Sequence, residues 1–530
     1  MPLREITATL LFVSALAVTS ISQARPAATI TVGSLSLTLC NTGYTGYCGS
    51  IRRPLDPSGA LKGSIDIGFE FYPRRNTALP RLGTLLPQEG GPGYSSTGSR
   101  GFYLGLFDAL RDRRDVLIID KRGTGLSAAI DCPAMQSGSD SLAAVGACAS
   151  QLGASSWLYG TRFAAADIVA VLDALGLPEV DFYGDSYGTF VGQVLAGLYP
   201  QRLRIIDNAG DGGSIYRELD AAARAWLQQG DARPILRLSA EQDTFSQDDP
   251  ESFSYGLYQA VICSDYPLRY DLRQPGSIRL KQYAQGLADA RANRAGLFAP
   301  FSIDEALASQ MYIRPLDSCL PWPAPPRNQT PGQPLPPSVR FPAVPTLVLS
   351  GDLDSVTSPQ DAAQVTRQFP DAVHIVVPNL THVVADADEI GCTLGLVQHF
   401  IDKLTPGDTG CIQRVRAVRT VPRFARSYRE LAPLDSAGTG LRGGQFQYSS
   451  TNTGLSFKLT RYQFTDDVAV SGRIAWNFNT SVITATVDLW SGGRTVGTLN
   501  IRWTDSAQDA IATVTGSLGG LALRAHRIAP

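Results

Sequence analysis

The stretch VDFYGDSYGTFVGQ, residues 180–193, joins a short apolar run to a helical one through Gly184-Asp185-Ser186-Tyr187-Gly188. Residues 180–183 read as a strand and 188–198 (GTFVGQVLAGL) as a helix, so this G-x-S-x-G match falls at a strand-to-helix turn, the context that gives the motif meaning. A serine held there sits in a tight, strained turn. Its neighbours must be small where the backbone passes close to strand and helix. The turn exposes Ser186 Oγ and aims the following backbone N–H, that of Tyr187, at a reacting carbonyl oxygen.

A serine at neutral pH is a poor nucleophile and needs a base. The chain has only four histidines, at 374, 382, 399 and 526. His374 lies inside an apolar strand, His399 in the helical run GLVQHFIDKL, and His526 in a terminal β region. His382 follows the strand 373–377 in a loop, PNLTHVVAD, and is the best base. The orienting acid is expected just after the preceding strand, where Gly351-Asp352-Leu353-Asp354 follows PTLVLS. Asp354 takes that role, and Asp352, nearer the strand end, hydrogen-bonds within the turn. The chain order Ser186, Asp354, His382 is that of α/β-hydrolases.

Around the turn, short apolar runs alternate with helical stretches. Extended candidates are 65–71, 82–86, 115–120, 180–183, 203–207, 344–350 and 373–377, several of them unbroken Val/Ile/Leu runs of the kind found in parallel strands buried on both faces. Helical stretches such as 162–176 lie between them, predicting an α/β fold with a mostly parallel sheet flanked by helices. Between 211 and 340 strand signals vanish, amphipathic stretches such as 216–228 and 303–311 take over, and a Pro-rich run (321–337) leads back to the sheet; this reads as a helical cap insertion. From 444 to 528 the pattern becomes period-two with Gly-rich turns, predicting a separate small antiparallel β domain, a sandwich or barrel. The expected division is a signal peptide at 1–24, a catalytic domain at 25–210 and 341–415, a helical cap at 211–340 and a β domain at 425–530.

At 530 residues and a formal net charge of −2, the chain is long enough for several units and offers no basic face for nucleic acid. Residues 9–19 are apolar behind Arg4, and Ser22 and Ala24 stand at minus three and minus one of a cut before Arg25. That run is too short to span a bilayer and matches a secretory leader, so an exported protein without a membrane span is expected. Export permits disulfides. The eight cysteines fall into close sequential pairs, and nearest-neighbour pairing is expected: Cys40 with Cys48, Cys132 with Cys148, Cys263 with Cys319, Cys392 with Cys411. Zinc-type spacing is absent, and no metal or organic cofactor is expected.

A second oxyanion donor is expected from a loop after an early strand, where Gln88-Glu89-Gly90-Gly91-Pro92-Gly93 follows LGTLLP. With that loop, the segment Asp120-Lys121-Arg122-Gly123-Thr124-Gly125-Leu126-Ser127 and the turn 184–188, the chain resembles the prolyl and tripeptidyl aminopeptidases of the α/β-hydrolase fold. The later GDLDSVTSP (351–359) and the cap cysteines Cys263 and Cys319 are similar to the secreted tripeptidyl branch. The resemblance covers roughly residues 40–411. Two departures stand out: Glu89 replaces the His that precedes GGPG in prolyl members, and Lys121 stands where the family usually has Gln.

The resemblance implies an exported serine peptidase acting by acyl transfer. Ser186 would attack, His382 would carry the proton, Asp354 would hold the imidazole, and the N–H groups of Tyr187 and Gly91 would stabilise the oxyanion. Peptide substrates are implied. A free α-amine needs a carboxylate near the site, and Glu89, Asp265 and Asp317 are the candidates, although surface or helix-capping acids are the ordinary reading of the last two. Arg122 reads as a structural salt-bridge partner beneath the site. The competing readings are an esterase or amide hydrolase with the same triad, and a non-catalytic binding protein on this fold. For the β domain, a wall component, a glycan, a protein partner or a purely stabilising role all stay open.

Overall fold

The computed structural model describes residues 26–528 apart from 140, 210–215, 245–248, 295, 297–301, 305–316, 386, 389, 419–422, 428–435, 439–442, 452–453, 464, 478–479 and 505–510. The leader at 1–24 and most of the amphipathic stretch 303–311 lie outside the described residues.

The first sheet has ten strands: β1 (Thr29–Val32), β2 (Leu35–Leu39), β3 (Tyr47–Pro54), β4 (Ser64–Tyr72), β5 (Gly83–Gln88), β6 (Arg114–Ile119), β7 (Val180–Asp185), β8 (Leu203–Ala209), β9 (Thr346–Gly351) and β10 (Ala372–Val377). Their order across the sheet is β1-β2-β3-β4-β6-β5-β7-β8-β9-β10. The pairings are antiparallel as far as β4–β6 and parallel from β6 through β10. All seven strands read from the sequence are present. The first three had not been foreseen.

The apolar runs alternate between two cores, one on each face of the sheet. Leu86, Leu117, Ile119 and Phe182 belong to one buried cluster, and their chain neighbours Leu85, Val116, Ile118 and Tyr183 to the other. That is what period-two geometry does to a strand covered on both sides. The helices that supply the covers are α1 (Arg100–Leu106), α2 (Pro133–Gln136), α3 (Leu142–Leu152), α4 (Thr161–Ala174) and α5 (Tyr187–Leu198). After the cap come α10 (Pro359–Thr366) and α11 (Cys392–Lys403). Leu104 and Leu106 of α1 share one core with Leu396 and Phe400 of α11, while Ile168 of α4 and Val191 of α5 lie in the other.

Between β8 and β9 lie the described helices α6 (Tyr216–Gln229), α7 (Arg233–Thr244), α8 (Tyr255–Asp265) and α9 (Gly276–Asn293), and the described stretch 317–345 that leads back to the sheet is turns and irregular chain. Leu257, Ala260, Val261 and Ile262 of α8 join the core beneath α4 and α5, so this part of the insertion is continuous with the main body. Four disulfides close as nearest neighbours: Cys40–Cys48, Cys132–Cys148, Cys263–Cys319 and Cys392–Cys411. Bridges of this number persist in oxidising compartments. No helix among the described residues is long and apolar enough to cross a membrane.

The terminal region corrects the expectation of a sandwich or barrel. Strands β13 (Gln445–Thr451), β14 (Gly454–Gln463), β15 (Ala469–Asn477), β16 (Val482–Ser491), β17 (Arg494–Thr504), β18 (Ile511–Leu518) and β19 (Leu521–Ile528) pair in strict chain order as one antiparallel sheet. Among the described residues β13 and β19 are its edges, and they do not pair as a barrel requires. Tight turns explain the meander: Gly492-Gly493 and Gly519-Gly520, all at positive φ, return the chain beside the strand it has just left. By register Phe457, Ile474, Ala485 and Ile501 share one face, and Lys458, Arg473, Thr486 and Asn500 the other.

A short parallel pair, β11 (Arg423–Ala425) and β12 (Ser436–Gly438), precedes this sheet. Phe424 of β11 is buried against Ala221, Ala222 and Ala225 of α6, with the Arg237 guanidinium over its ring. A chain ending after residue 426 keeps that contact, and its thermal midpoint and hydrolytic rate are expected to stay near those of the full protein. One ending at 418 loses it, at a cost of about 2–3 kcal/mol for an exposed Phe-sized site. Equal melting of the two truncated chains would refute the packing role of Phe424.

Candidate active site

The parallel strands present their carboxyl ends together, and the loops that leave them build the site, as is usual in open α/β sheets. Ser186 sits between β7 and α5 with φ of 48° and ψ of −119°, a strained conformation for a residue with a side chain. The two glycines that flank it are sterically required. A Cβ on Gly184 would lie 2.7 Å from the Gly188 carbonyl, and one on Gly188 would lie 2.0 Å from the Gln88 carbonyl oxygen.

The loop after β5 lies directly on this turn, since a Cβ on Gly90 would come within 2.7 Å of Ser186 Cβ. The Gly91–Pro92 peptide is cis. Lys121 is buried and clasps the loop at both ends, its Nζ donating to the carbonyls of Glu89 at 2.8 Å and Tyr94 at 3.2 Å. Burial pushes the Lys121 ammonium down to about 8, with nearby Glu89 and Asp120 opposing. Glu89 is fixed in turn: Gly90 N–H donates to its Oε1 at 2.9 Å and Tyr103 O–H to its Oε2 at 3.0 Å.

The segment 120–127 is scaffold. The Asp120 carboxylate accepts from Thr97 N–H and O–H and from Leu126 N–H, and burial raises its pKa in spite of them. A Cβ on Gly125 would strike that carboxylate at 2.2 Å. Arg122 is buried on Asp167, with contacts of 2.6 and 2.9 Å, and donates to the Leu55 and Leu158 carbonyls, as expected of a structural ion pair.

Asp354 follows β9 and His382 follows β10. Nδ1 of His382 lies 2.9 Å from Asp354 Oδ2. Asp354 Oδ1 accepts from the N–H groups of Val356 and Thr357, at 2.8 and 2.9 Å. Burial alone would raise this carboxyl, but the hydrogen bond and charge of His382, with those two N–H groups, hold it below the usual range. The Thr357 hydroxyl donates to Asp354 Oδ2 at 2.9 Å and lies 3.2 Å from His382 Nδ1. Sequence reasoning missed Thr357; its place three residues after the acid, in the turn that wraps it, was the available signal. Asp352 instead accepts from Asn379 N–H across the neighbouring loop. His374 is structural, with Nε2 2.8 Å from Ser350 Oγ.

The three candidate amine-binding acids part company. Glu89 directly precedes Gly90, the residue that packs on Ser186. Asp265, the last residue of α8, is buried and accepts from Thr161 N–H at 2.6 Å, capping α4 from outside it. Asp317 is buried in the turn before Cys319, its carbonyl accepting from Leu320 N–H. A cluster of Cys40, Cys48 and Glu70 has ligand-like spacing, but its sulfurs form a disulfide and Glu70 is paired with Arg100 at 2.7 Å.

Residues 83–206 match the model of the alpha/beta hydrolase fold, and residues 304–411 that of TAP-like protein. The chain has the α/β-hydrolase fold and carries a TAP-like segment. Over 196 residues the chain is 30% identical to the serine protease Hip1 of Mycobacterium tuberculosis and of Mycobacterium bovis, covering 31% of the chain and 36% of the relative. It thus spans little more than a third of the curated relatives it matches. Solved structures that resemble it include the proline iminopeptidase of Mycobacterium smegmatis (17% identity, TM-score 0.32, 67% of this chain and 98% of that one). A thermophilic esterase from Thermogutta terrifontis is similar at 16% identity and TM-score 0.31, over 67% of this chain and 99% of that one.

The Lys121 clasp has a measurable consequence. Its pKa, about 8 in the fold against 10.5 when unperturbed, means that between those values the unfolded chain holds a proton that the folded one has released. Stability therefore rises with pH across that window. Denaturant titrations should show the wild type gaining on Lys121→Met by up to roughly 3 kcal/mol from pH 8 to 10.5. A gap independent of pH would contradict the burial of that charge.

Proposed function

We propose that the protein is an exported serine peptidase, an aminopeptidase that releases short N-terminal residues or peptides through an acyl-enzyme on Ser186. The observation that carries this reading is the Asp354–His382 hydrogen bond of 2.9 Å, made by the loops after β9 and β10 of the sheet whose β7 ends in a serine held in a strained strand-to-helix turn. In the mechanism His382 Nε2 takes the Ser186 proton as Oγ attacks the carbonyl carbon, and then delivers it to the leaving amine. Asp354 keeps the other ring proton on Nδ1 and stabilises the imidazolium. The N–H groups of Tyr187 and Gly91 receive the oxyanion. A water then repeats the proton path to free the acyl group. Peptidase specificity is supported by the TAP-like segment and the serine-protease relatives; export is supported by the four disulfides.

The substrate's protonated amine needs a partner once it is desolvated. Glu89 is assigned that role because it precedes Gly90, which packs on Ser186, and is only partly buried, while Asp265 and Asp317 are buried in the framework. Free aminoacyl and tripeptidyl chromogenic substrates should be cut far faster than their N-acetylated forms, whose barrier should be higher by about 3–5 kcal/mol because the amine–carboxylate pair is lost. Glu89→Gln should erase the distinction. One observation favours the esterase alternative: Glu89 already accepts from Gly90 and Tyr103. Equal rates on free and acetylated peptides, or a preference for simple esters, would establish that alternative.

A further inference from the structure

Tyr187 follows the nucleophile and starts α5, and its buried side chain ends in a polar chain. Its hydroxyl lies 2.5 Å from Thr161 Oγ1, at the first turn of α4, and Thr161 Oγ1 lies 2.5 Å from Asp265 Oδ2, at the end of the cap helix α8. The same carboxylate oxygen takes the Thr161 N–H at 2.6 Å. All three residues are buried, and Asp265 stands two positions after Cys263, whose bridge to Cys319 anchors it in the cap.

Proton counting fixes the direction of this chain. An ionised carboxylate only accepts, so Thr161 must spend its single hydroxyl proton on Asp265. Thr161 Oγ1 is then an acceptor, and the proton between it and Tyr187 must come from Tyr187. The ring of Tyr187 is held through Thr161 by a charge that belongs to the cap.

We propose that Asp265 is a positioning residue for the oxyanion hole: through Thr161 it locks the Tyr187 side chain, and with it the aim of the Tyr187 backbone N–H beside Ser186. The inference rests on Ser186 being the nucleophile. It makes the cap part of the catalytic turn instead of a cover over it. Burial pushes the Asp265 carboxyl up to about 6, against its hydrogen bonds from Thr161 and the nearby Arg162, while Tyr187 and Tyr266 face it from α5 and the end of α8. The lock is therefore mostly charged at neutral pH and loses its charge as the pH falls through about 6.

The test is a double-mutant cycle on the full, oxidised chain with Asp265→Asn and Tyr187→Phe, read in two ways. One is the second-order rate of fluorophosphonate labelling, which needs the nucleophile and the oxyanion hole but no peptide specificity. The other is the split of kcat and KM on p-nitrophenyl acetate. Each single variant should label about tenfold or more slowly, with kcat reduced and KM within about threefold. The double variant should be no slower than the slower single one. Thr161→Ser, which keeps the hydroxyl, should restore labelling to near wild type, whereas Thr161→Val should match Asp265→Asn. Normal labelling of folded Asp265→Asn, or additive losses in the double variant, would overturn the proposal. If Asp265→Asn fails to fold, Tyr187→Phe and Thr161→Val carry the same comparison. A wild type that resists labelling altogether would instead refute Ser186 as nucleophile.

Discussion

Ser186→Ala is expected to lose roughly a millionfold in kcat, the scale found when the nucleophile of a serine hydrolase is deleted. The change is a single oxygen. Ser186 is the residue between β7 and α5, and its strained backbone is imposed by Gly184 and Gly188 packing against Gly188 and Gln88 respectively, none of which alters. Circular dichroism and the thermal midpoint should therefore stay at wild-type values while turnover vanishes and fluorophosphonate labelling disappears. Because removing one member of such a unit already removes its function, His382→Ala and the Ser186→Ala/His382→Ala pair should be no worse than Ser186→Ala alone. Residual turnover within tenfold of wild type would eliminate the acyl-enzyme mechanism.

The second large effect is Asp354→Asn, for which a loss of about ten-thousandfold in kcat is expected. The structure supplies the reason. Oδ1 of Asp354 accepts from two backbone N–H groups, of Val356 and Thr357, so an asparagine must place its carbonyl oxygen there. Its NH₂ then faces His382 Nδ1, which has to become an acceptor. The ring proton moves to Nε2, and the nitrogen that should take the serine proton already carries one. The loss should ease at high pH if deprotonated Ser186 becomes accessible, and KM should change little. A variant with near-normal kcat would show that Asp354 does not set the tautomer.

Much of this was visible in the sequence because the relevant forces are local. The unbroken apolar runs at 115–120 and 344–350 could only be strands covered twice, and Gly184 and Gly188 announce a turn in which a Cβ cannot fit. Three of the four cysteine pairs close as neighbours across short stretches of 8 to 19 residues, and only Cys263–Cys319 spans a long one. What escaped depends on tertiary context. Strands β1 to β3 are partly exposed, with Arg52, Arg53 and several Thr and Ser side chains, and they become strands by pairing in succession, β3 on β4, β2 on β3 and β1 on β2. Period-two patterning at 444–528 was read correctly as strands, but alternation does not specify whether a meander closes, opens or folds over. Asp265 and Asp317 looked like acids near a site. The inward placement of Asp265 follows from the docking of α8 on the first turn of α4, and that of Asp317 from the buried turn at Cys319, neither of which a local pattern encodes.

The loop that carries Gly91 is not an independent piece of backbone. Ser254 N–H donates to the Gly93 carbonyl, Ser95 N–H to the Ser252 carbonyl, and the ring of Phe253 lies against Tyr94. For anyone re-engineering substrate choice, this makes the start of α8 a poor place to cut. A cap exchanged with that of another hydrolase must carry residues 252–265 together with a matching 88–95, or the graft will arrive with its oxyanion loop unsupported. Grafts that exchange only α6 and α7 leave that seam intact and are the economical route to a library of new specificities.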